Sequence, residues 1–268
     1  MAYCYFNGGM VDEEEVSLSI HNFGVHRGFG VFDFFRMRDG KYSFIQDHLD
    51  RFEKSQRFMD LSHIIEQDEI REAVDTLRDW NGYTDAGFKL MILADGKDSD
   101  AELSPLFFIL QSDLSNHESA PYASVILHEY VREYPQIKTI SYFTSNMLHR
   151  KKAKAGAIDV IYHKDDLISE ASRSNVFIVQ DGVFKTPAEN ILEGITRKQV
   201  LEVASQVGSI EVANVTIDDF FTADEIFICS TLKEICPIVE VDGNSVGSGK
   251  VGPLSRKISQ LFQQKLMD

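Results

Sequence analysis

The residues with the clearest chemical potential lie in Glu170–Phe177, an acidic turn that leads directly into an apolar strand. Glu170 precedes a small, hydroxyl-rich turn that contains Ser172 and Ser174. This arrangement places one carboxylate and several hydrogen-bonding groups next to the start of a strand. We therefore treat the turn as the first candidate for a binding or catalytic site.

A second candidate is a helix start that follows Gly194. A glycine at this position lets the backbone approach a ligand closely. Thr196 adds a hydroxyl where the unpaired N–H groups of the first helical turn point outward. A helix start of this kind can bind an anion, most often a phosphate. Ser230 and Thr231 follow another apolar strand, and Arg51 can supply a charge-assisted contact. The chain lacks a Walker-type loop and a G-x-G-x-x-G motif, so a nucleotide phosphate is not favoured.

Helices and strands alternate along the chain, which predicts an α/β or α+β class with mixed sheets. Its 268 residues exceed one typical core and indicate two domains. The polar stretch 111–121 lies between two apolar runs and is interpreted as the linker, with an N-terminal α+β domain at 1–110 and a C-terminal α/β domain at 122–268. Predicted helices cover 48–59, 67–80, 149–155, 197–207 and 253–267.

Composition excludes several classes of function. There are 27 Lys and Arg against 42 Asp and Glu, a formal net charge of −15, which disfavours a nucleic-acid partner. Three cysteines without a C-x-x-C pair fit a reducing cytoplasm, and the absence of a basic, apolar leader predicts no secretory signal. The apolar runs are strand-sized, which predicts no membrane span, and the histidines show no metal-ligand spacing, so we expect no metal.

Several motifs together resemble the class IV aminotransferases, which are fold-type IV pyridoxal-phosphate enzymes. They occur in the family's order, at Asn7-Gly8, Gly28–Arg36, His48–Arg51, Glu170–Phe177, Thr186-Pro187, Gly194–Arg197 and Asp242-Gly243. The family includes branched-chain and D-amino-acid aminotransferases and 4-amino-4-deoxychorismate lyase. The resemblance implies the cofactor pyridoxal 5'-phosphate, a two-domain fold, a site between the domains and a homodimer whose second subunit completes that site.

The resemblance also assigns roles to residues. Pyridoxal phosphate needs a lysine that attaches its aldehyde, and Lys138 matches the family's Ile-Lys-Thr pattern. The other candidate lysines before Glu170 belong to a predicted helix with a solvated basic face; they are Lys151, Lys152 and Lys154. One departure is Ser141, where the family commonly has Asn. Glu170 matches the family's acidic residue that keeps the pyridine nitrogen of the cofactor protonated. Both Lys138 and Glu170 fall in the predicted second domain.

The phosphate contacts and the ring lining follow from the same resemblance. The expected cofactor-binding residues are Arg51, Lys138, Glu170, Ser172, Ser174, Ile195, Thr196, Ser230 and Thr231.

Substrate recognition requires a cation for the substrate carboxylate. The D-amino-acid enzymes of the family place an Arg and a His just after the strand that corresponds to Phe88–Leu93, but here Asp95 stands near that position. Arg27, in the loop that helps to build the site in the family, and Lys89, on the strand, are the candidate substrate-binding residues.

The leading hypothesis is a cytoplasmic transaminase that moves an amino group between an amino acid, either a branched-chain L- or a D-amino acid, and a 2-oxo acid. One alternative is 4-amino-4-deoxychorismate lyase, which uses the same lysine and releases pyruvate. A second alternative is a non-catalytic binding protein that keeps the scaffold. A simple amino donor should convert the cofactor of a transaminase to its pyridoxamine form, whereas a lyase should not do so efficiently. Purified protein that stays colourless after cofactor addition would favour the binding protein.

Overall fold

The computed structural model describes residues 2–96 and 102–267. The chain groups into two compact units. The first comprises the residues up to His117 together with Ile137–Tyr142, and the second comprises Glu118–Gln136 and the residues from Phe143 onward. The predicted boundaries placed Lys138 in the second domain, whereas the structure groups its segment with the first unit.

The described part of the first unit contains a six-stranded sheet with the strand order β2-β1-β6-β5-β3-β4. Its elements are β1 (Tyr3–Phe6), β2 (Gly9–Asp12), a 3-10 turn (Glu13–Glu15), α1 (Phe23–Arg27), β3 (Gly30–Arg38), β4 (Lys41–Tyr42), α2 (Ile45–Met59), α3 (Gln67–Asn81), β5 (Ala86–Asp95) and β6 (Ser104–Asp113). The two helices α2 and α3 bury apolar stripes at three- and four-residue spacing against the core of the unit.

The segment that carries Lys138 is tied to β3 by backbone hydrogen bonds. The Phe32 N–H donates to the Lys138 carbonyl at 2.9 Å, and the Ile140 N–H donates to the Gly30 carbonyl at 3.1 Å. These bonds lie on the edge of β3 that β4 occupies only at Met37 and Arg38, opposite the edge that pairs with β5. The segment therefore belongs to the first unit although it lies far along the chain.

The second unit contains a ten-stranded mixed sheet in its described residues, ordered β12-β11-β10-β14-β15-β7-β8-β9-β13, with β16 paired to β15. Its strands are β7 (Ala123–Glu129), β8 (Asp159–Lys164), β9 (Leu167–Ala171), β10 (Asn175–Gln180), β11 (Val183–Thr186), β12 (Ile210–Val212), β13 (Val215–Thr216), β14 (Glu225–Ser230), β15 (Glu234–Val241) and β16 (Asn244–Ser245). Its helices are α4 (Phe143–Met147), α5 (His149–Lys154), α6 (Ile195–Ala204), α7 (Ile217–Thr222) and α8 (Pro253–Met267). The strands β10 and β14 are buried almost throughout, as expected for central strands.

The mixed α/β class predicted from the sequence is confirmed, and the five predicted helices are present with small shifts at their ends. The linker differs from the expected 111–121, because β6 continues through Asp113 and pairs with β5 over its whole length. In the described residues, no helix is long and apolar enough to cross a membrane.

Candidate active site

Arg51 lies in a buried charge cluster of the first unit. Its Nε and one terminal nitrogen both donate to Asp33, at 2.8 Å each, and His48 Nδ1 lies 2.7 Å from the same carboxylate. Asp33 is fully buried on β3, where burial favours the neutral acid, but the Arg51 charge and the His48 hydrogen bond hold its pKa well below the ordinary value. Burial lowers the pKa of His48, so that its ring is neutral at pH 7 and donates to Asp33.

This geometry fixes the guanidinium of Arg51 and leaves its other N–H groups for a ligand. We expect Asp33→Asn to lower the free energy of unfolding by about 3 kcal/mol, because it leaves a largely buried cation uncompensated. The lowered pKa makes this stabilisation fully present above the pKa of unfolded Asp, about 3.9, and progressively lost as the pH falls below it.

Urea unfolding at pH 7, 4 and 3 measures this effect, and the difference between wild type and variant should narrow at pH 3. Glu53→Gln is the control, because the Arg57–Glu53 pair is largely exposed and its loss should cost less than about 1 kcal/mol. Equal losses in the two variants would contradict a special role for the buried cluster.

Lys138 and Lys89 both lie near the ring of Phe32. The Nζ of Lys138 is 4.7 Å and that of Lys89 is 5.2 Å from the ring centre, which is within the range of a cation–π contact. Both side chains are half-buried. Arg51, His48 and these two lysines therefore give the first unit a concentration of positive and hydrogen-bonding groups beside β3.

Arg27 ends the short helix α1 and is exposed. The helix is anchored through Asn22, which caps it by accepting from the Val25 N–H at 2.9 Å and donates to Asp95 at 2.7 Å. Gly24 is required for the close approach of α1 to β5, because an added Cβ would lie 2.8 Å from the Leu93 Cβ. Asp95 therefore positions the helix that carries Arg27.

Glu170 is buried at the end of β9, and two donors hold its carboxylate. The Nε of Arg132 donates to Oε1 at 2.6 Å, and the Leu192 N–H donates to Oε2 at 2.9 Å. Sequence reasoning did not identify Arg132, which lies in a loop without a distinguishing pattern. The hydrogen bond to Leu192 connects this carboxylate to the segment that leads into α6.

The start of α6 forms a cradle of backbone donors. Asn175 donates to the Leu192 carbonyl at 2.8 Å, and its Oδ1 lies so close to Gly194 that an added Cβ would be 2.0 Å away. The first helical bond runs from the Lys198 N–H to the Gly194 carbonyl, and the first N–H groups of a helix have no partner within it. The buried Ile195 and Thr196 therefore present donors that suit a phosphate.

Ser172 and Ser174 contact a buried carboxylate that sequence reasoning also missed. Their hydroxyls donate to Asp159 at 2.6 and 3.3 Å, and the Lys233 Nζ lies 2.9 Å from Asp159 and 3.0 Å from Ser174. Burial would raise the pKa of Asp159, but Lys233 and the hydrogen bonds hold it below the ordinary value. This network ties the turn after Glu170 to the turn after β14.

Ser230 is the last residue of β14 and Thr231 begins the turn that follows; the Ser230 hydroxyl accepts from the Lys233 N–H at 3.3 Å. Within the second unit, the structure thus brings together the acidic turn, the start of α6 and the β14–β15 turn. The described ranges 2–96 and 102–267 contain no group of three or more His, Cys, Asp or Glu side chains that could hold a metal ion.

Comparisons with known proteins show the family of the chain and its fold. The family model described as amino-transferase class IV matches residues 30–241. The chain is 30% identical to a putative branched-chain-amino-acid aminotransferase of Methanocaldococcus jannaschii, over 97% of this chain and 94% of the relative. It is 29% identical to a D-alanine aminotransferase of Listeria monocytogenes with the same coverages. The branched-chain amino acid aminotransferase from Escherichia coli superposes with a TM-score of 0.90 at 25% identity, over 99% of this chain and 94% of the other.

Proposed function

The chain belongs to the class IV aminotransferase family and is a pyridoxal-phosphate-dependent transaminase, and from this membership we propose the residues that carry the reaction and its substrates. The observation that carries the proposal is the Glu170–Leu192 hydrogen bond at 2.9 Å. This bond fixes the Glu170 carboxylate relative to the start of α6. A carboxylate suits a pyridine nitrogen and a helix start suits a phosphate, and pyridoxal phosphate carries these two groups at opposite ends.

The residues fit this cofactor by their chemistry. Glu170 supplies a buried carboxylate for the ring nitrogen, and the Ile195 and Thr196 backbone supplies donors for the phosphate. Arg51, oriented by Asp33, matches by resemblance the arginine that binds the cofactor phosphate in the family. When bound, pyridoxal phosphate supplies an electron sink for the electrons left behind when a proton leaves the substrate.

We assign proton transfer to Lys138. Its amine would hold the cofactor's aldehyde at rest. When free, it would take the proton from the substrate α-carbon as a general base and deliver it to the C4′ carbon of the cofactor as a general acid. The amine must be neutral for the first of these steps. The remaining members of the proposed cofactor site are Ser172 and Ser174, which would line the ring, and Ser230 and Thr231, which would contact the phosphate.

For the substrate carboxylate we propose Arg27, with Lys89 as the second cation. In the D-amino-acid enzymes that the sequence resembles, an Arg stands near the position of Asp95, but here this carboxylate accepts a hydrogen bond from Asn22. In this chain, the residue at that position does not bind the anion directly. Asp95 instead positions, through Asn22, the helix that carries Arg27, which is the proposed anion-binding group. A guanidinium suits a planar carboxylate because it can donate two parallel hydrogen bonds.

The donor is proposed to be a branched-chain L-amino acid or a D-amino acid. Conversion of the bound cofactor to its pyridoxamine form, followed by absorbance, should be rapid with one of these classes. Arg27→Ala should raise the apparent dissociation constant of that donor on the order of tenfold, because a charged hydrogen bond contributes about 1.5 to 3 kcal/mol. The apparent dissociation constant of the donor for Lys89→Ala shows whether Lys89 also contributes to binding of the substrate carboxylate.

Arg150→Ala is a suitable control, because Arg150 is an exposed arginine on the short helix α5 of the second unit. Unchanged donor affinity in Arg27→Ala would overturn the carboxylate assignment. If neither donor class converts the cofactor, the proposed substrate class is wrong.

We further propose a homodimer in the cytoplasm. Ile20, Val25 and Phe29 are exposed apolar side chains around Arg27, with 75%, 51% and 36% of their surface accessible, and a second subunit would bury them. The buried, unpaired state of the three cysteines suits a reducing compartment. Light scattering that gives the mass of a single chain, or fractionation of the protein outside the cytoplasm, would contradict these two proposals.

A further inference from the structure

We propose that Arg132 is a positioning residue that holds Glu170 ionised and oriented toward the pyridine nitrogen of the cofactor. The inference rests on the proposed role of Glu170. Arg132 lies outside the motifs that resemble the family. Its proposed effect is to keep the proton on the pyridine nitrogen and off the Glu170 carboxylate.

The contacts of Arg132 are short and mostly sheltered from water. Its Nε donates to Glu170 Oε1 at 2.6 Å, and its side chain is 14% exposed while that of Glu170 is 5% exposed. A terminal nitrogen of the same guanidinium donates to the Pro135 carbonyl at 2.6 Å. The planar guanidinium of Arg132 therefore bridges the Glu170 carboxylate and the turn at Pro135, which lies three residues before Lys138 in the sequence.

The turn itself needs this support. Tyr134 adopts a φ of 49°, a left-handed conformation that costs energy for a non-glycine residue. The guanidinium hydrogen bond to the next carbonyl stabilises this conformation. A lysine has one nitrogen at its end and lacks the planar fork that makes both bonds, so Arg132→Lys should keep the charge and lose part of the geometry.

The charge of Arg132 determines how readily Glu170 accepts a proton. A cation in contact with a carboxylate stabilises the ionised form, and this effect is larger where water is excluded. With Arg132 present, Glu170 would stay ionised and would leave the proton on the ring nitrogen of a bound cofactor, which keeps the ring an effective electron sink. Without the guanidinium, Glu170 competes for that proton, and the Leu192 N–H still donates to its carboxylate.

The test is the dissociation constant of pyridoxal phosphate for the full-length apoprotein, measured by absorbance titration between pH 5 and 9. Arg132→Met should raise this constant on the order of tenfold at pH 7. The acid side of its pH profile should also move to higher pH by about one unit. Arg132→Lys should lie between wild type and Arg132→Met.

Arg36→Met is the matched control. Arg36 is also a mostly buried arginine that donates through its Nε to a carboxylate, Asp85, at 2.9 Å, but it belongs to β3 of the first unit and is assigned no role in the site. Its loss should reduce stability without moving the pH profile of cofactor binding. A shift of the same size in both variants would show that Arg132 acts only on stability.

A double variant separates this inference from the proposed role of Glu170. Arg132→Met combined with Glu170→Gln should bind pyridoxal phosphate no more weakly than Glu170→Gln alone, since the two residues act through one carboxylate. Additive losses of cofactor affinity in the double variant would overturn the inference about Arg132 alone. The same holds if Arg132→Met leaves the pH profile unshifted while Glu170→Gln weakens cofactor binding. An unaffected Glu170→Gln would overturn the role of Glu170 and the inference together. If Arg132→Met does not fold, the graded effect in Arg132→Lys decides.

Discussion

Lys138→Ala is expected to reduce the rate of transamination by at least about 10³-fold, because it removes the group that transfers the proton. The cofactor should still bind through Glu170, Arg51 and the start of α6, but its absorbance should no longer report attachment to the protein. Single-turnover conversion by an excess of amino donor measures the loss. A small primary amine added to the variant should restore part of the rate, since it can act as the missing base.

Lys154→Ala is the matched control. Lys154 is an exposed lysine of α5 and one of the other lysines that the sequence places before Glu170. Its variant should keep wild-type activity and absorbance. If Lys138→Ala keeps activity and Lys154→Ala loses it, the lysine has been assigned wrongly.

Glu170→Gln is expected to lower kcat on the order of 10²-fold, which is the size of effect that follows the loss of one preorganised electrostatic group. A neutral amide does not keep a proton on the ring nitrogen. Its NH₂ group must also face either Arg132 or the Leu192 N–H, both of which are donors, so the side chain cannot satisfy both contacts. Steady-state kinetics and the absorbance of the bound cofactor measure the change.

Glu225→Gln provides the comparison for Glu170. Glu225 is also buried, and its carboxylate accepts hydrogen bonds from the Leu254 and Ser255 N–H groups at the start of α8. Its replacement should reduce stability and leave kcat nearly unchanged. Similar kcat losses in the two variants would indicate that a damaged fold, and not the ring nitrogen, explains the effect of Glu170→Gln.

Local patterns in the sequence predicted much of the fold. Asp39-Gly40 forms the expected hairpin turn, with φ of 47° and 74° at its two residues. The helix α3 ends as predicted before Gly82, which adopts the left-handed conformation that glycine tolerates. Such signals depend on neighbouring residues only, so a single sequence contains them.

Pairings between distant residues were not predictable in the same way. The segment of Lys138 joins β3 through residues about a hundred positions earlier, and nothing in its own composition indicates that partner. Asp33 was also missed, but a signal for it exists. It is an acid within an apolar strand, and His48 and Arg51 stand three residues apart on the following helix, where they share a face.

The candidate site shows the same division. The motif residues Glu170, Gly194 and Thr196 can be proposed from the sequence because the chemistry of a carboxylate, a glycine and a helix start is visible in it. The residues that hold them, Arg132 and Asn175, act through tertiary contacts. Ser172 and Ser174 were assigned to the ring, and their contacts with Asp159 became visible only in the structure.

The most direct test of the account is to reduce the cofactor-loaded protein with borohydride and map the pyridoxyl group by tryptic digestion. Attachment at Lys138 blocks cleavage there and should give one labelled peptide that runs from Glu133 to Arg150. A label on any other lysine, or no label in protein that has bound the cofactor, would contradict the central claim that Lys138 is the attachment point and the base.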